Sequence, residues 1–149
     1  MLIIVSNTYG YSAGGLSNPT SNSQSGVYGS NQPSRLVTPL LLIKNDQFNE
    51  AYQMLLKLKE ENFDEADRQN LLGFSARKLQ NFSAAKIHYQ KALNMDPYHL
   101  KALEYQGELF LSLNDISSAQ ENLSKLKAKC SIICPREYKQ LKKAIETAQ

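Results

Sequence analysis

Two cysteines and two histidines are the residues of this chain whose types lend themselves to redox, nucleophilic or metal chemistry. Cys130 and Cys134 are separated by Ser131-Ile132-Ile133 and flank a turn. Two readings stand open for them: a disulfide that pins the segment that follows, or a pair of reduced, half-buried thiols. A thiol-redox centre calls for Cys-x-x-Cys at a helix start in a βαβ context, and that is missing. A metal site needs more ligands than these residues supply. His88 is expected on a helix surface and His99 beside Pro97, and neither has a Ser, Cys or Asp in a recognisable nucleophile arrangement. Gly14-Gly15 has no strand before it and cannot be read as a phosphate loop. The chain is therefore expected to be no enzyme and to use no cofactor.

Charge is equally undramatic. Seventeen Lys and Arg against fourteen Asp and Glu leave +3 over 149 residues. In the second half Lys alternates with Glu and Asp, the pattern of solvated helix faces, so no nucleic-acid partner is expected. No apolar run approaches the ~20 residues of a membrane span.

The elements that would position these side chains begin near residue 35. Met1 to Ser34 contains no Asp, Glu, Lys or Arg but five of the seven Gly. Met1-Leu2-Ile3-Ile4-Val5 looks like the end of a secretory apolar region, with Thr8 and Gly10, or Gly10 and Ser12, at the small-residue positions before a cut. Residues 1–13 are read as a truncated signal peptide and 14–35 as a disordered Ser/Asn/Gly-rich arm, too poor in apolar side chains to offset ordering entropy. A periplasmic or otherwise exported setting is expected, with a cytoplasmic one as the alternative.

From residue 36 onward the apolar period is helical, as in Phe82, Ala85, Tyr89, Ala92 and Leu93, and no alternating run suggests a sheet. Ala51, Ala85 and Ala119 recur at equal intervals, with a period of about 34 residues. Each is preceded three positions earlier by Phe48, Phe82 or Ile116 and followed four positions later by Leu55, Tyr89 or Leu123. Gly73 and Gly107 repeat at the same interval, as do Leu79 and Leu113. Two closely packed antiparallel helices explain the small residues: Gly in a helix costs up to ~1 kcal/mol and needs a packing reason. Asn45-Asp46, Gln80-Asn81 and Asn114-Asp115 are expected to cap the second helix of each pair.

Leu72-Gly73, Ala85, Tyr89, Ala92 and Pro97 within residues 66–99 resemble the tetratricopeptide repeat, and residues 100–133 keep Gly107, Phe110, Ala119 and Leu123. Gln69, Ala76 and Ser131 depart from that pattern. A degenerate unit occupies 36–65, with Pro39 in the Gly position and a short first helix, and a capping helix is expected over 135–148. The resemblance implies an all-α solenoid over 36–149, similar at its end, around Cys130 to Ile145, to small exported bacterial repeat proteins. It also implies a concave face that binds a protein or peptide. Carried over by register, that face would present Asn70, Phe74, Arg77, Lys78, Lys101, Glu104, Tyr105 and Glu108. The Lys/Asn clamp that some relatives use for a C-terminal carboxylate is not reproduced. A self-assembling scaffold is the alternative.

If the leader reading holds, the native protein begins between about residues 11 and 14. N-terminal mass spectrometry of protein from its own cells tests this, and an intact Met1 would refute it.

Overall fold

The first helix of each hairpin stops where the chain takes a left-handed residue. In the computed structural model, which describes residues 35–58 and 63–148, Asp46, Gln80 and Asn114 have φ of 58°, 60° and 59°. They are spaced by the same interval as the alanines. At each, the next residue donates its N–H back over five positions, Gln47 to Leu42, Asn81 to Ala76 and Asp115 to Phe110, at 2.9, 2.9 and 2.8 Å. The left-handed residue itself bonds three positions back, as Gln80 does to Arg77 at 2.9 Å. This is a Schellman ending, which satisfies the last carbonyls and reverses the chain within a short turn. The leader-like segment and the arm up to residue 34 lie outside the described residues.

The described residues form seven helices and no strand: α1 (Val37–Lys44), α2 (Phe48–Lys57), α3 (Glu65–Lys78), α4 (Phe82–Met95), α5 (Leu100–Ser112), α6 (Ile116–Lys127) and α7 (Arg136–Ala148). The second helices α2, α4 and α6 start at equal intervals, at Phe48, Phe82 and Ile116. Asn81 accepts from Ala84 N and Asp115 from Ser118 N, both at 3.1 Å, so two of the three expected caps form. The Asn45-Asp46 pair does not cap α2. Asp46 is consumed as the left-handed residue, and Gln47, next to the helix, makes no side-chain cap bond. Pro39 lies in the first turn of the eight-residue α1, where its missing N–H costs nothing.

Consecutive helices pack as hairpins, and neighbouring first helices touch, α3 with α5 and α5 with α7. Ala51, Ala85 and Ala119 have no exposed surface. Tyr89 is also fully buried, enclosed by Ala76, Ala85 and Leu109, so its ring fills the space between the α3–α4 hairpin and α5. Leu79 and Leu113 repeat in the sequence but stay 43% and 46% exposed, outside the core.

The two glycines serve different contacts. A Cβ on Gly73 would stand 2.6 Å from Tyr89 Cδ1, so this glycine brings α4 onto α3 as the repeat pattern implied. A Cβ on Gly107 would meet Leu141 Cδ1 and Cδ2, both at 2.6 Å. Its clearance therefore admits α7, not the second helix of its own hairpin. Leu141 follows Gly107 by the same interval that separates Gly107 from Gly73, so α7 takes the place of one more first helix. It buries Leu141 and Ile145 among Leu103, Ala119 and Leu126, closing the apolar end of the α5–α6 pair.

Gly73→Ala gains up to ~1 kcal/mol of helix propensity but drives a methyl into an enclosed ring, an overpacking cost of ~1–3 kcal/mol. At Gly107 the obstacle is the branched end of a leucine, which can yield by a change of rotamer where a ring cannot. Thermal unfolding should show Gly73→Ala losing more stability than Gly107→Ala, and Leu141→Ala should cancel the Gly107→Ala clash in the double variant. Equal melting of the two glycine variants would contradict these contacts.

Candidate functional site

The first helices α3 and α5 lie side by side, and positions one helical turn short of a full repeat face each other. Phe74 and Tyr105 meet this way with ring centroids 4.8 Å apart and planes tilted by 50°. Phe48, the first residue of α2, sets its ring edge-on to Phe74 at 6.2 Å. Cations lie over the row. Arg77 is 5.6 Å from the Phe74 centroid and 5.9 Å from that of Tyr105. Lys78 is 5.7 Å from Phe48 and 5.6 Å from Phe74, and Lys101 is 5.5 Å from Tyr105. At partly exposed sites each such contact stabilises by ~0.5–1 kcal/mol, enough in sum to hold these side chains in one arrangement.

The same helical offset pairs the charges. Arg77 Nη2 donates to Glu108 Oε2 at 2.6 Å, across the α3–α5 groove. Lys101 Nζ reaches Glu104 Oε2 at 3.2 Å and Glu137 Oε1, on α7, at 3.0 Å. Burial lifts the Glu104 carboxyl above the ordinary range, against the pull of Lys101. Burial also opposes ionisation of Glu137, but the backbone N–H at the start of α7 and the Lys101 ammonium hold that carboxyl below its ordinary value. Burial disfavours the Lys101 charge too, and its bond to Glu137 with the nearby carboxylates outweighs that. The Tyr105 hydroxyl is shifted up, chiefly by burial.

Seven of the eight residues expected on this face thus form one contiguous cluster. Not all of them present themselves to solvent. Asn70 is 4% exposed with its Oδ1 unpartnered, and Glu104 is 2% exposed, so both lie beneath the face and not on it. Phe74 and Tyr105 are half-buried, each covered on one side by the cations and its neighbouring ring. Phe48 and Glu137 belong to the cluster although repeat register did not assign them. Phe48 reads in sequence as a second-helix core residue, equivalent to Phe82, and Glu137 as part of a cap. Beyond Glu108 the groove opens into a cleft of about 750 Å3 between α5 and α7, lined by Leu111, Ser112, Gln140, Lys143 and Ala144 among others.

The histidines hold the frame. His88 is half-buried, not a free surface residue: Tyr52 Oη donates to its Nε2 at 3.2 Å, and its Nδ1 donates to Gln69 Oε1 at 2.7 Å. Gln69 Nε2 in turn donates to Glu65 at 2.8 Å, which ties α2, α3 and α4 together. Burial, with Lys91 and Arg68 nearby, lowers the pKa of this imidazole. His99 caps α5, its Nδ1 accepting from Ala102 N at 3.2 Å while its Nε2 donates to Asp67 at 2.9 Å. Burial works against its protonation, but the bond to Asp67 and the surrounding carboxylates raise its pKa overall. Cys130 and Cys134 form a disulfide. Among the described residues no three His, Cys, Asp or Glu converge to hold a metal ion, and no helix is long and apolar enough to cross a membrane.

Comparison with protein-family models, curated proteins and solved structures finds no match to this chain.

A carboxyl raised in the folded state withdraws stability as pH climbs from its ordinary 4.5 through its folded value. Glu104→Gln removes that loss and leaves Lys101 to Glu137. Its melting temperature, relative to the parent, should therefore be more favourable at pH 7 than near pH 4, by a few degrees. A difference independent of pH would mean that Glu104 ionises without a burial cost.

Proposed function

We propose that the chain is a tetratricopeptide-type binding module that holds an extended peptide or a partner's helix along its first-helix face. The observation that carries this reading is the aromatic row of Phe48, Phe74 and Tyr105 on that face, bordered by the Arg77–Glu108 pair. Aromatic rings bury large area at small entropy cost and are frequent interface anchors. The charges beside them are already paired across the groove, so they orient a partner more than they hold it. The equal spacing of the left-handed residues and of the second-helix starts supports the repeat assignment.

An exported setting belongs to the same proposal. A disulfide across the α6–α7 turn persists in an oxidising compartment and would be reduced in most cytosols.

The self-assembling alternative has one observation in its favour. Val37, Leu40 and Leu41 on α1 are 43%, 43% and 54% exposed among the described residues, an apolar strip on the first helix. End-to-end stacking on that strip predicts a mass that rises with concentration, whereas the binding module predicts a monomer.

A Phe74→Ala, Tyr105→Ala double variant should keep its helical content, melt somewhat lower for the loss of the stacked pair, and no longer capture the partner that the parent retains from native cells. Retained capture by a folded double variant would move the binding surface elsewhere. Loss of helical content would make the rings structural.

A further inference from the structure

The α6–α7 turn is built unlike the other turns. It is closed by the Cys130–Cys134 disulfide, and the apex between the cysteines holds Ile132 and Ile133, 100% and 74% exposed. No other large apolar residue among those described stands so free. The disulfide closes the loop at Cα–Cα 4.2 Å and leaves both isoleucines at its apex.

The flanks carry charge of one sign. Residues 125–139 contain Lys125, Lys127, Lys129, Arg136 and Lys139 against a single carboxylate, Glu137, which Lys101 already occupies at 3.0 Å. The remaining chain balances twelve cations with thirteen carboxylates, so the positive excess of the protein is concentrated here, where residue alternation alone had suggested an even spread. All five cations are exposed. Lys129 Nζ lies 4.1 Å from the ring centroid of Tyr98, itself 49% exposed, in the adjacent α4–α5 turn. The nearby carboxylate of Asp96 is turned to the Tyr98 backbone N–H at 3.0 Å.

We infer that this end of the molecule docks on the surface of an anionic lipid bilayer, with Ile132 and Ile133 inserted at the acyl boundary, Tyr98 at headgroup level and the cations against lipid phosphates. The three kinds of side chain follow the polarity gradient of an interface, apolar at the apex, amphipathic beside it and cationic around it. Attachment of this sort takes two signals, a small apolar insertion and a basic patch, since either alone is marginal. A protein partner fits less well. Two isoleucines fall far short of the ~800 Å2 per side that a stable protein interface uses, whereas a bilayer needs no complementary shape. The proposal is independent of the groove on the first-helix face, which lies on other helices and other residues.

The test is co-sedimentation of the full-length, oxidised protein with vesicles of phosphatidylcholine in which about a third of the lipid is phosphatidylglycerol. Binding is expected there, about tenfold or more weaker on pure phosphatidylcholine, and weakened by salt. Ile132→Ser with Ile133→Ser should reduce binding to the anionic vesicles by about tenfold or more, with an unchanged circular dichroism spectrum. Lys127→Glu with Lys129→Glu should do the same while leaving the apolar apex intact. No sedimentation of the parent protein would overturn the proposal. Serine variants that bind as well as the parent would also overturn it, since only diffuse charge attraction would be left. A concentration-dependent mass that the serine variants abolish would assign the apex to a second copy of the chain and likewise overturn it.

Discussion

The ring of Tyr89 rests on the backbone of Gly73, in a space that a single added carbon would invade at 2.6 Å. The distance between α3 and α4 follows from that contact, because neither a fully enclosed ring nor a helix backbone can yield much. Tyr89 also touches Leu109 of α5, so the same ring sets how far the next hairpin stands from the first. The next residue, about 100° further round α3, is Phe74. Its meeting with Tyr105 at 4.8 Å, and that of Arg77 with Glu108 at 2.6 Å, both need α5 at the distance that Tyr89 imposes. Core packing on one face of a helix thereby determines side-chain geometry on the next.

That geometry leaves the candidate site electrostatically content. Arg77, Lys101, Glu108 and Glu137 pair with one another across three helices, while Glu104 is held beneath them with its carboxyl pushed up by burial. Partly buried pairs of this kind add little net stability, because desolvation consumes most of the attraction. They do restrict how α3, α5 and α7 slide past each other. What stays exposed, and what the proposed binding would use, is aromatic surface and the cleft beyond Glu108. Selectivity at such a surface comes from shape and from the few polar groups at its edge.

One register position has four different fates along the chain. Pro39, Gly73, Gly107 and Leu141 are equally spaced, one repeat apart. Pro39 sits in the first turn of a short helix, Gly73 admits a tyrosine, Gly107 admits a leucine, and Leu141 is that leucine. Repetition supplies the scaffold, and departures from it mark the two ends, where a face must either be covered or left free. α7 covers one. At the other, among the described residues, α1 keeps Val37, Leu40 and Leu41 partly in solvent.

Periodicity alone was sufficient for the helices, their hairpin pairing, the short α1 with Pro39 in its first turn and the closing α7, because small residues at a fixed interval admit few packings. It also brought Phe74, Arg77, Lys78, Lys101, Tyr105 and Glu108 to one face, since residues one turn short of a repeat must meet when first helices lie side by side. Burial depth was not legible in the same way: Asn70 and Glu104 share the register of that face but lie under it, because how deeply a position sinks depends on which neighbouring side chains cover it. Nor was the membership of Phe48 and Glu137, which reach the cluster from α2 and α7 through space. The disulfide, left open against free thiols by spacing alone, forms where the α6–α7 turn brings Cα130 and Cα134 to 4.2 Å. The roles of His88 and His99 likewise waited on the fold. A histidine between two helices becomes a bridge or a cap according to which donors and acceptors the packing sets within hydrogen-bonding reach, and that is a property of three-dimensional distance, which sequence spacing encodes only within a helix.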